Sequence, residues 1–277
     1  MIKTNGKTNK RVGGQFQAIP KKRMAILCTH PVQYFAPFFR KLSAQSDIEI
    51  KVFFGSLHGS TKNSYDPDFQ INIQWDCDVL KGYTWEQIGK KALKELKRPT
   101  SLWHSVRTAK SILKWQPDYV FIFAYSPFFI TTCSAILAIA GQKILLRADT
   151  SDNALKRSKL KKAARDMMLK MYYQFVYHLF PIGSDSYDHY LRLGVHPEKL
   201  TSVLYAIDKE VIKPLRKENN DRNQEYSSPT PHIKLAFVGK FTDIKDPLII
   251  PKAISHLNKD ERSKIIVYSA GTGPLKN

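Results

Sequence analysis

The chain has 277 residues, which is long for one domain and natural for two, and hydrophobic residues make up 43% of it, enough for a real core. Its formal net charge of +20 favours an anionic partner, namely nucleic acid, an anionic membrane surface or a phosphorylated substrate, although a general solubility charge would give the same sum. Its three cysteines, Cys28, Cys77 and Cys133, have neither metal-binding nor redox spacing, which excludes a disulfide scaffold and indicates a reduced cytoplasmic protein without a metal site.

The amino-terminal segment, MIKTNGKTNKRVGGQFQAIPKK, is basic and contains no acidic residue. It lacks the apolar core of a signal peptide. We therefore predict a disordered basic tail over 1–22.

Apolar, strand-like runs then alternate with helical patterns. The runs predict strands over 24–29, 48–54, 119–125, 143–148, 178–182 and 200–205. The intervening patterns predict helices over 34–44, 102–115, 127–140, 154–177 and 186–193. Residues 56–98 are irregular, and the KGYTWE motif within them is compatible with one more short strand. This alternation predicts an α/β domain over 23–208, with a parallel sheet covered by helices on both faces.

One segment, 119–142, carries no charge and has the length of a membrane span. The pair Ser126-Pro127 divides it, because serine is a good N-cap and proline a good first helical residue. We favour a buried strand followed by a buried helix, with a membrane span as the alternative.

Residues 209–232 are polar and charged and contain two prolines near their end, which predicts a linker. A strand over 233–238, a helix over 247–257 and a strand over 264–268 follow and make one βαβ unit. Such a unit alone cannot cover both faces of its sheet. We therefore expect the sequence to be truncated within a second domain, of which 233–277 is the start.

Three segments carry a family resemblance: SDSYDHYLRLGVHPEKLTSVLYAID (184–208), KLAFVGKFTDIKDPLIIPKAI (234–254) and IIVYSAGTGPL (265–275). In this order they resemble the retaining family 4 glycosyltransferases, which have two Rossmann-like domains in the GT-B arrangement. The resemblance covers 24–277. It implies an acceptor-side first domain, a second domain that binds a nucleotide-sugar donor, and transfer of the sugar to a glycan or lipid-linked acceptor. It implies no cofactor, because the nucleotide sugar is a substrate, and we predict no metal, because no His/Cys cluster has ligand spacing.

The resemblance places the donor diphosphate in the second domain. Gly239 ends a strand, where the missing side chain lets a ligand approach the backbone. Lys240 and Lys245 flank a turn that leads to a predicted helix start at Asp246-Pro247. Cations beside a helix N-terminus fit a diphosphate, although the family carries an arginine in place of Lys240 and a lysine loses its bidentate grip. Two ordinary surface lysines are the alternative.

Gly271 and Gly273 resemble the Gly-Asp-Gly-Pro turn that the family places near the nucleotide, although an ordinary turn would have the same composition. The family also has two glutamates eight positions apart, which we expect beyond residue 277. Glu210 and Glu218 have this spacing but lie in the predicted linker, and we reject them. The chain as it stands is therefore predicted not to turn over sugar nucleotides.

Candidates for the acceptor side follow two strands of the first domain, at the sheet edge where doubly wound sheets bind ligands. His30 and Gln33 are polar contacts for an acceptor or, equally, capping residues. Asp149 stands where many family members carry a His-Asp pair, and it is the catalytic candidate because it could orient an acceptor hydroxyl. Arg147 could contact a phosphate. A structural salt bridge is an equally good explanation for Arg147 and Asp149. A helical stripe is assigned to packing: Phe35, Phe38, Phe39 and Leu42.

The stretch 156–170, KRSKLKKAARDMMLK, has seven basic residues against one acidic residue. Apolar residues form a stripe along the same helix: Leu160, Ala164, Met167, Met168, Met171 and Phe175. The default interpretation is a helix that packs this stripe into the core and leaves its basic face in solvent. Docking of the helix on anionic lipid is the alternative.

Two other functions stay open: a non-catalytic basic module that binds an anionic membrane or RNA, and a nucleotide-sugar epimerase of the same fold. No aromatic RNA-binding signature supports nucleic acid. The favoured hypothesis is a cytoplasmic glycosyltransferase, with the inner face of the membrane as a second location.

Overall fold

The computed structural model of the chain describes residues 9–12, 15–18, 21–60, 64–66, 70–73, 75, 77–152, 158–206 and 232–276. The chain forms two compact units, the first drawn from 1–60 and 76–207 and the second from 61–75 and 208–277. Residues 61–75 thus group with the second unit, whereas the sequence places them in the first domain. The predicted linker over 209–232 lies outside the described residues, apart from His232.

The first unit contains a six-stranded sheet in the order β10-β9-β8-β3-β4-β7, in which every neighbouring pair is parallel. The strands of the chain are β1 Asn9–Val12, β2 Gln15–Ala18, β3 Lys22–Cys28, β4 Ile48–Phe54, β5 Ser64–Asp66, β6 Ile71–Ile73, β7 Trp85–Gln87, β8 Tyr119–Ile122, β9 Lys143–Ala148, β10 Val176–Pro181, β11 Ile233–Val238 and β12 Ile265–Ala270. The helices of the first unit are α1 Ala36–Ser43, α2 Leu102–Trp115, α3 Phe128–Ile139, α4 Lys159–Gln174 and α5 Ser184–Arg192.

The strands send alternate side chains into two hydrophobic cores, one on each face of the sheet. On one face Ile26, Val52 and Phe54 pack with Phe39 of α1. On the other face strand residues pack with helices α2 to α5, to which the following residues belong: Ala109, Ile112, Phe129, Cys133, Leu137, Leu169, Tyr173 and Tyr190. The predicted α/β class, with helices on both faces of a parallel sheet, is confirmed.

Strands β1 and β2 pair antiparallel, from Asn9 opposite Ala18 to Val12 opposite Gln15. The prediction of a disordered tail is therefore wrong for these two short strands. The sequence did contain a signal, since a Gly-Gly pair between Val12 and Gln15 is typical of a two-residue hairpin turn.

The uncharged segment 119–142 divides as predicted into strand β8 and helix α3. The helix begins one residue later than predicted, at Phe128, and its N-cap is Pro127 and not Ser126. Helix α3 has 12 residues and packs on the sheet of the first unit. Within the described part of the chain, no helix is long and apolar enough to cross a membrane.

The predicted strand over 200–205 is an extended segment that makes two isolated parallel bridges, Leu179 with Leu200 and Ile182 with Val203. It follows β10 without forming a named strand. These bridges place residues 203–206 beside the carboxyl ends of β9 and β10.

Helix α4 turns a different face to the core than the sequence predicted. Its buried residues are Leu169 and Tyr173, whereas the apolar stripe assigned to the core is exposed. The reason is a polar network on the inner side of the helix: Arg192 of α5 binds Asp166 through Nη1 at 2.7 Å and Asp152 through Nε at 2.6 Å. The default interpretation of this helix is therefore wrong.

The second unit contains the antiparallel pair β5–β6 and the parallel pair β11–β12. Strands β11 and β12 run in register from Ile233 opposite Ile265 to Val238 opposite Ala270. Two short helices, α6 Ile249–Ser255 and α7 Lys259–Ser263, lie between them in the chain. The predicted βαβ unit is present.

Candidate functional site

The strand order fixes where a ligand can enter the first unit. The chain passes from β3 to β4 on one side and later returns to place β8 on the other side of β3. In open parallel sheets, this change of direction leaves a crevice outside the carboxyl ends of the two diverging strands, and ligands bind there. The residues that follow β3 and β8 are therefore the first to examine.

A cleft of about 350 Å³ opens at this position, and we call it the polar cleft. Its walls contain Thr29 and His30 after β3, Ala124 and Ser126 after β8, and the Arg147–Asp149 segment at the end of β9, together with Tyr34 and Tyr205. The structure thus brings His30, Arg147 and Asp149 together. Gln33 is exposed and does not line the cleft, because it lies in the turn before α1. This placement does not support its predicted acceptor contact.

Asp149 is held by Tyr205, which sequence reasoning missed. The Tyr205 hydroxyl donates a hydrogen bond to Asp149 Oδ2 at 3.2 Å. Burial and the neighbouring Asp149 carboxylate raise the pKa of Tyr205, so this phenol stays protonated and keeps its donor. Among the described residues, neither Asp149 nor Arg147 forms a salt bridge within 4.0 Å, so the structural salt bridge weighed from the sequence is not seen there. The second oxygen of Asp149 is placed to accept from a ligand.

Arg147 is half-buried and packed between aromatic rings. Its guanidinium carbon lies 4.7 Å from the centre of the Tyr205 ring and 5.8 Å from that of Phe123. Its Nη2 donates to the Leu204 carbonyl at 3.3 Å. Burial lowers the pKa of Arg147, yet a guanidinium stays charged and offers five N–H donors. One weak hydrogen bond and two ring contacts leave it suited to an anionic ligand.

His30 is positioned by its neighbours at the end of β3. Its Nδ1 lies 2.9 Å from Thr29 Oγ1, and its ring meets the His58 ring edge-on at 5.9 Å between centres. The loop after β4 is tied to this strand end, because Ser56 N donates to the Thr29 carbonyl at 2.8 Å. His30 thus presents an ordered imidazole to the polar cleft.

A second cleft, of about 320 Å³, adjoins the first, and we call it the aromatic cleft. Five residues belong to the walls of both clefts: Tyr34, Phe35, Phe123, Arg147 and Tyr205. The remaining walls are apolar: Phe38, Phe121, Phe180, Val203, Leu204 and Ala206. Phe35 and Phe38, assigned to packing from the sequence, are only partly buried and line this cleft, whereas Phe39 is buried.

Phe121, Phe123 and Phe180 were not recognised as site residues. The rings of Phe121 and Phe123 lie 5.0 Å apart, and those of Phe121 and Phe180 lie 5.9 Å apart. The sequence signal was the spacing of two in YVFIF, which places Phe121 and Phe123 on one side of β8 at its carboxyl end.

The glycine turns of the predicted donor site meet at the ends of β11 and β12. Gly239 N donates to the Ala270 carbonyl at 3.0 Å, and Phe241 N donates to the Thr272 carbonyl at 2.9 Å. A Cβ atom on Gly271 would lie 1.9 Å from the Gly239 carbonyl oxygen, so no other residue fits at this position. Gly273 is buried in the same turn. The two turns therefore pack directly on each other.

The helix start predicted at Asp246-Pro247 is wrong. Helix α6 begins at Ile249 and has seven residues. Asp246 has a φ of 42°, in the left-handed region, which interrupts the helical run. Lys240 is half-buried in the turn and Lys245 is exposed. A diphosphate could therefore be bound by the lysine charges and the backbone of the turn, but not by the helix N-terminus that the sequence predicted.

Within the described residues, no group of three or more His, Cys, Asp or Glu side chains could hold a metal ion. Cys28 and Cys133 are buried, and burial raises the pKa of both thiols, which keeps them as unreactive thiols.

Comparison with known proteins identifies the fold. No protein-family model and no curated protein sequence matches the chain. Among solved structures, a glycosyltransferase from Rickettsia africae ESF-5 is similar with a TM-score of 0.52 and 10% identity, over 93% of this chain and 70% of that chain. UDP-N-acetylglucosamine 2-epimerase from Rickettsia bellii gives a TM-score of 0.49 and 9% identity, over 91% of this chain and 70% of that one. MurG from Acinetobacter baumannii gives 0.46 and 9%, over 90% of this chain and 65% of that one.

Only the first of these structures has a TM-score above 0.5, and at 10% identity its similarity concerns the fold. With the parallel six-stranded sheet of the first unit, it confirms the expected α/β architecture of the Rossmann-like, GT-B type.

Proposed function

We propose that the protein is a retaining glycosyltransferase of the family 4 type, which transfers a sugar from a nucleotide sugar to an acceptor. The observation that carries this proposal is the polar cleft at the topological switch point, where His30, Arg147 and Asp149 converge in a chain with a glycosyltransferase fold. An acceptor bound there would meet a carboxylate, a cation and an imidazole. These groups fit a hydroxylated and phosphorylated molecule.

In the proposed reaction, Asp149 orients the acceptor hydroxyl by accepting a hydrogen bond from it, while the hydrogen bond from Tyr205 fixes the Asp149 carboxylate. The bond from the sugar's anomeric carbon to the diphosphate breaks, and the bond to the acceptor oxygen forms on the same face. The leaving diphosphate takes the electron pair and can take the acceptor proton. No protein nucleophile is needed, and stabilisation of the leaving anion supplies the main catalytic effect.

Of the two acceptor classes expected from the resemblance, the aromatic cleft favours a lipid-linked acceptor. Phenylalanine walls offer no hydrogen-bond partner to sugar hydroxyls or nucleobase edges, so an apolar chain suits them best. Arg147, at the junction of the two clefts, would bind the phosphate that joins such a chain to its polar head.

For the donor, we propose that Lys240, Lys245 and the Gly239–Gly271 turns bind the diphosphate. Each lysine would act as a point charge near an oxygen whose negative charge grows as the sugar leaves. No metal ion or cofactor is part of this proposal. An anionic membrane surface is a second proposed partner, nucleic acid is not, and we place the enzyme in the cytoplasm at the inner membrane face.

Titration calorimetry on the chain with a panel of UDP-, GDP- and ADP-sugars tests donor binding. We expect one of them to bind, and Lys240→Ala and Lys245→Ala each to weaken binding. Lys259→Ala, at an exposed position on α7, is the charge-matched control. Equal binding by all variants would show that the diphosphate lies elsewhere, and no binding of any sugar nucleotide by the parent would count against a donor site in this chain.

Transfer is tested with the full-length protein, a radiolabelled sugar nucleotide and a lipid extract. Label should move into the organic phase, and Lys240→Ala or Lys245→Ala should reduce its rate by about a hundredfold, the size of one electrostatic contact to a developing anion. Conversion of the sugar nucleotide to an epimer without an acceptor would instead establish the epimerase alternative.

A further inference from the structure

Helix α4 exposes an apolar surface that its position in the fold does not require. We call it the α4 stripe and define it by Leu160, Ala164, Met167, Met168, Met171 and Phe175. Leu160 is 81% exposed and Met167 is 66% exposed, although both belong to residue types that usually avoid water. At 100° per residue, the centre of the stripe lies roughly opposite the buried Leu169 and Tyr173. The stripe therefore points away from the core of the first unit.

The orientation of α4 is fixed by polar contacts on its inner side. Asp152 accepts from Arg192 Nε at 2.6 Å and from His189 Nδ1 at 2.8 Å. The Tyr173 hydroxyl lies 3.1 Å from His189 Nε2 and donates to it, because Nδ1 carries the ring proton that faces Asp152. Rotating the stripe inward would break the two bonds of this network that reach α4, Tyr173 to His189 and Asp166 to Arg192, and would expose Tyr173. The outward stripe is thus the orientation that satisfies both faces of the helix.

The apolar surface continues from α4 onto α3. Ile139, at the end of α3, is 82% exposed and shares a shallow groove with Phe175 and Tyr172. Tyr172 is anchored from below, since its hydroxyl lies 2.8 Å from Ser134 Oγ. The ends of both helices therefore contribute to one apolar surface.

Lysines border the α4 stripe on both sides. Lys161 lies on one flank, and Lys159 and Lys170 lie on the other, whereas Lys162 lies on the opposite side of the helix near its amino-terminal end. All four are exposed. The single acidic residue of α4, Asp166, faces inward and is paired with Arg192. The exposed side of the helix is thus apolar along its centre and positively charged at its edges.

We propose that the α4 stripe, with the lysines that flank it, docks the first unit on an anionic lipid bilayer. Apolar side chains can enter the headgroup region while lysines contact anionic headgroups at its surface. A second copy of this chain fits less well, because a two-fold contact would bring flanking lysines against one another. Nucleic acid would leave the methionines without an apolar partner. Docking on the bilayer does not depend on catalysis. Only its purpose, which is to bring a lipid-linked acceptor to the aromatic cleft, rests on the proposed function.

Sedimentation of the 277-residue chain with lipid vesicles tests this proposal. We expect binding to phosphatidylglycerol-containing vesicles that weakens as salt rises, and little binding to pure phosphatidylcholine. A lysine near an anionic surface contributes about fivefold in affinity, so changing Lys159, Lys161 and Lys170 to glutamine should weaken binding by about a hundredfold. Met168→Ser with Met171→Ser should also weaken it, at unchanged charge.

Two control variants match these changes elsewhere in the chain. Glutamine at the exposed Lys252, Lys259 and Lys264 removes the same charge from the second unit. Ile71→Ser with Ile244→Ser removes exposed apolar side chains outside α4. Both controls should bind vesicles nearly as the parent does, and every variant should keep its melting temperature.

If the lysine variant and its control lose vesicle binding equally, the loss depends only on net charge, and the proposal is overturned. Light scattering could instead show a dimer of the parent that becomes a monomer in the Met168→Ser, Met171→Ser variant. That result would identify a second copy of the chain as the occupant of the stripe and would also overturn the proposal. Sugar-nucleotide binding, measured without vesicles, separates this result from the proposed function, since either can fail while the other stands.

Discussion

Helices α3 and α4 lie on the same face of the sheet and are both rich in apolar residues, yet they use them in opposite ways. In α3 the apolar residues Phe129, Cys133 and Leu137 are completely buried. In α4 the large apolar residues are mostly exposed, and only Leu169 and Tyr173 are fully covered. An apolar stripe thus identifies a face of a helix without deciding whether that face turns inward.

The two helices differ because charged residues compete with apolar ones for the face towards the core in α4 but not in α3. Helix α3 contains no charged residue, so burial of its apolar residues meets no opposition. Helix α4 carries Arg165 and Asp166, and Asp166 bonds to Arg192 of α5 from the inner side. Arg192 holds the pKa of Asp152 and of Asp166 below its usual range, so both carboxylates stay ionised and the network keeps its charges.

The sharpest test of the comparison uses one substitution in both helices. Leu137→Ala in α3 should lower the free energy of unfolding by about 2–5 kcal/mol, because it leaves a cavity in a closed core. Leu160→Ala in α4 should change it by less than about 0.5 kcal/mol, since the side chain is 81% exposed. Urea denaturation measures both. Similar losses for the two variants would mean that the α4 stripe is buried.

A smaller loss is expected when the polar network is cut. Asp152→Asn leaves Arg192 and His189 without their shared carboxylate, and we expect a loss of about 1–3 kcal/mol for this partly exposed position. Asp188→Asn, at an exposed position of α5, is the control and should be nearly neutral. A silent Asp152→Asn in urea denaturation would leave the orientation of α4 unexplained.

The pH dependence of stability is the next effect in size. Burial lowers the pKa of His189, so its neutral form is favoured in the folded protein while the unfolded chain takes up a proton below about pH 6.5. The unfolded state then binds more protons, and this one histidine makes stability fall with decreasing pH by at most about 1.4 kcal/mol per pH unit. Urea denaturation between about pH 7.5 and pH 5, the range in which histidine titrates, should show this fall.

His189→Gln should reduce the slope of this pH profile and leave the part that the buried His104 contributes, because burial lowers the pKa of His104 as well. His256→Asn in the second unit should leave the slope unchanged. The depressed pKa of Asp152 acts in a lower window, because its stabilisation is complete above the unfolded value near pH 4 and is lost only as pH falls further. A parent profile that is flat down to pH 5 would contradict the neutral, buried state of His189.

Removal of the α4 stripe should have the smallest effect on stability. Met168→Ser with Met171→Ser should shift the free energy of unfolding by less than about 0.5 kcal/mol per site, as is typical of surface positions. The same double change placed in the core of the first unit would unfold it. A large loss for the α4 variant would show that part of the chain covers these methionines.

The fold was readable from the sequence because strand and helix periodicities are local properties. Strands β4, β9 and β11 and helix α2 lie within a residue of their predicted bounds. The face of α4 was not readable, because it depends on Asp152 and Arg192, which lie outside the helix. The start of α6 was misjudged because proline after aspartate resembles a helix start, whereas Asp246 adopts a left-handed conformation.

The candidate site was readable in part for the same reason. His30, Arg147 and Asp149 follow strand ends, so the parallel sheet brings them together. Tyr205 was missed because it reaches Asp149 from a segment that only bridges to β10. The aromatic cleft was missed because its residues come from α1, β8, β10 and residues 203–206, and each looks like core when it is read alone.

The most direct measurement of the central claim, that the α4 stripe faces outward to dock on lipid, is peroxide oxidation of methionines followed by mass spectrometry. Met167, Met168 and Met171 are exposed and should form sulfoxides rapidly, whereas Met24, packed against the core, should react slowly. Phosphatidylglycerol vesicles should protect the three α4 methionines, and phosphatidylcholine vesicles should not. Slow oxidation of the α4 methionines in the free protein, or rates that anionic vesicles leave unchanged, would contradict the claim.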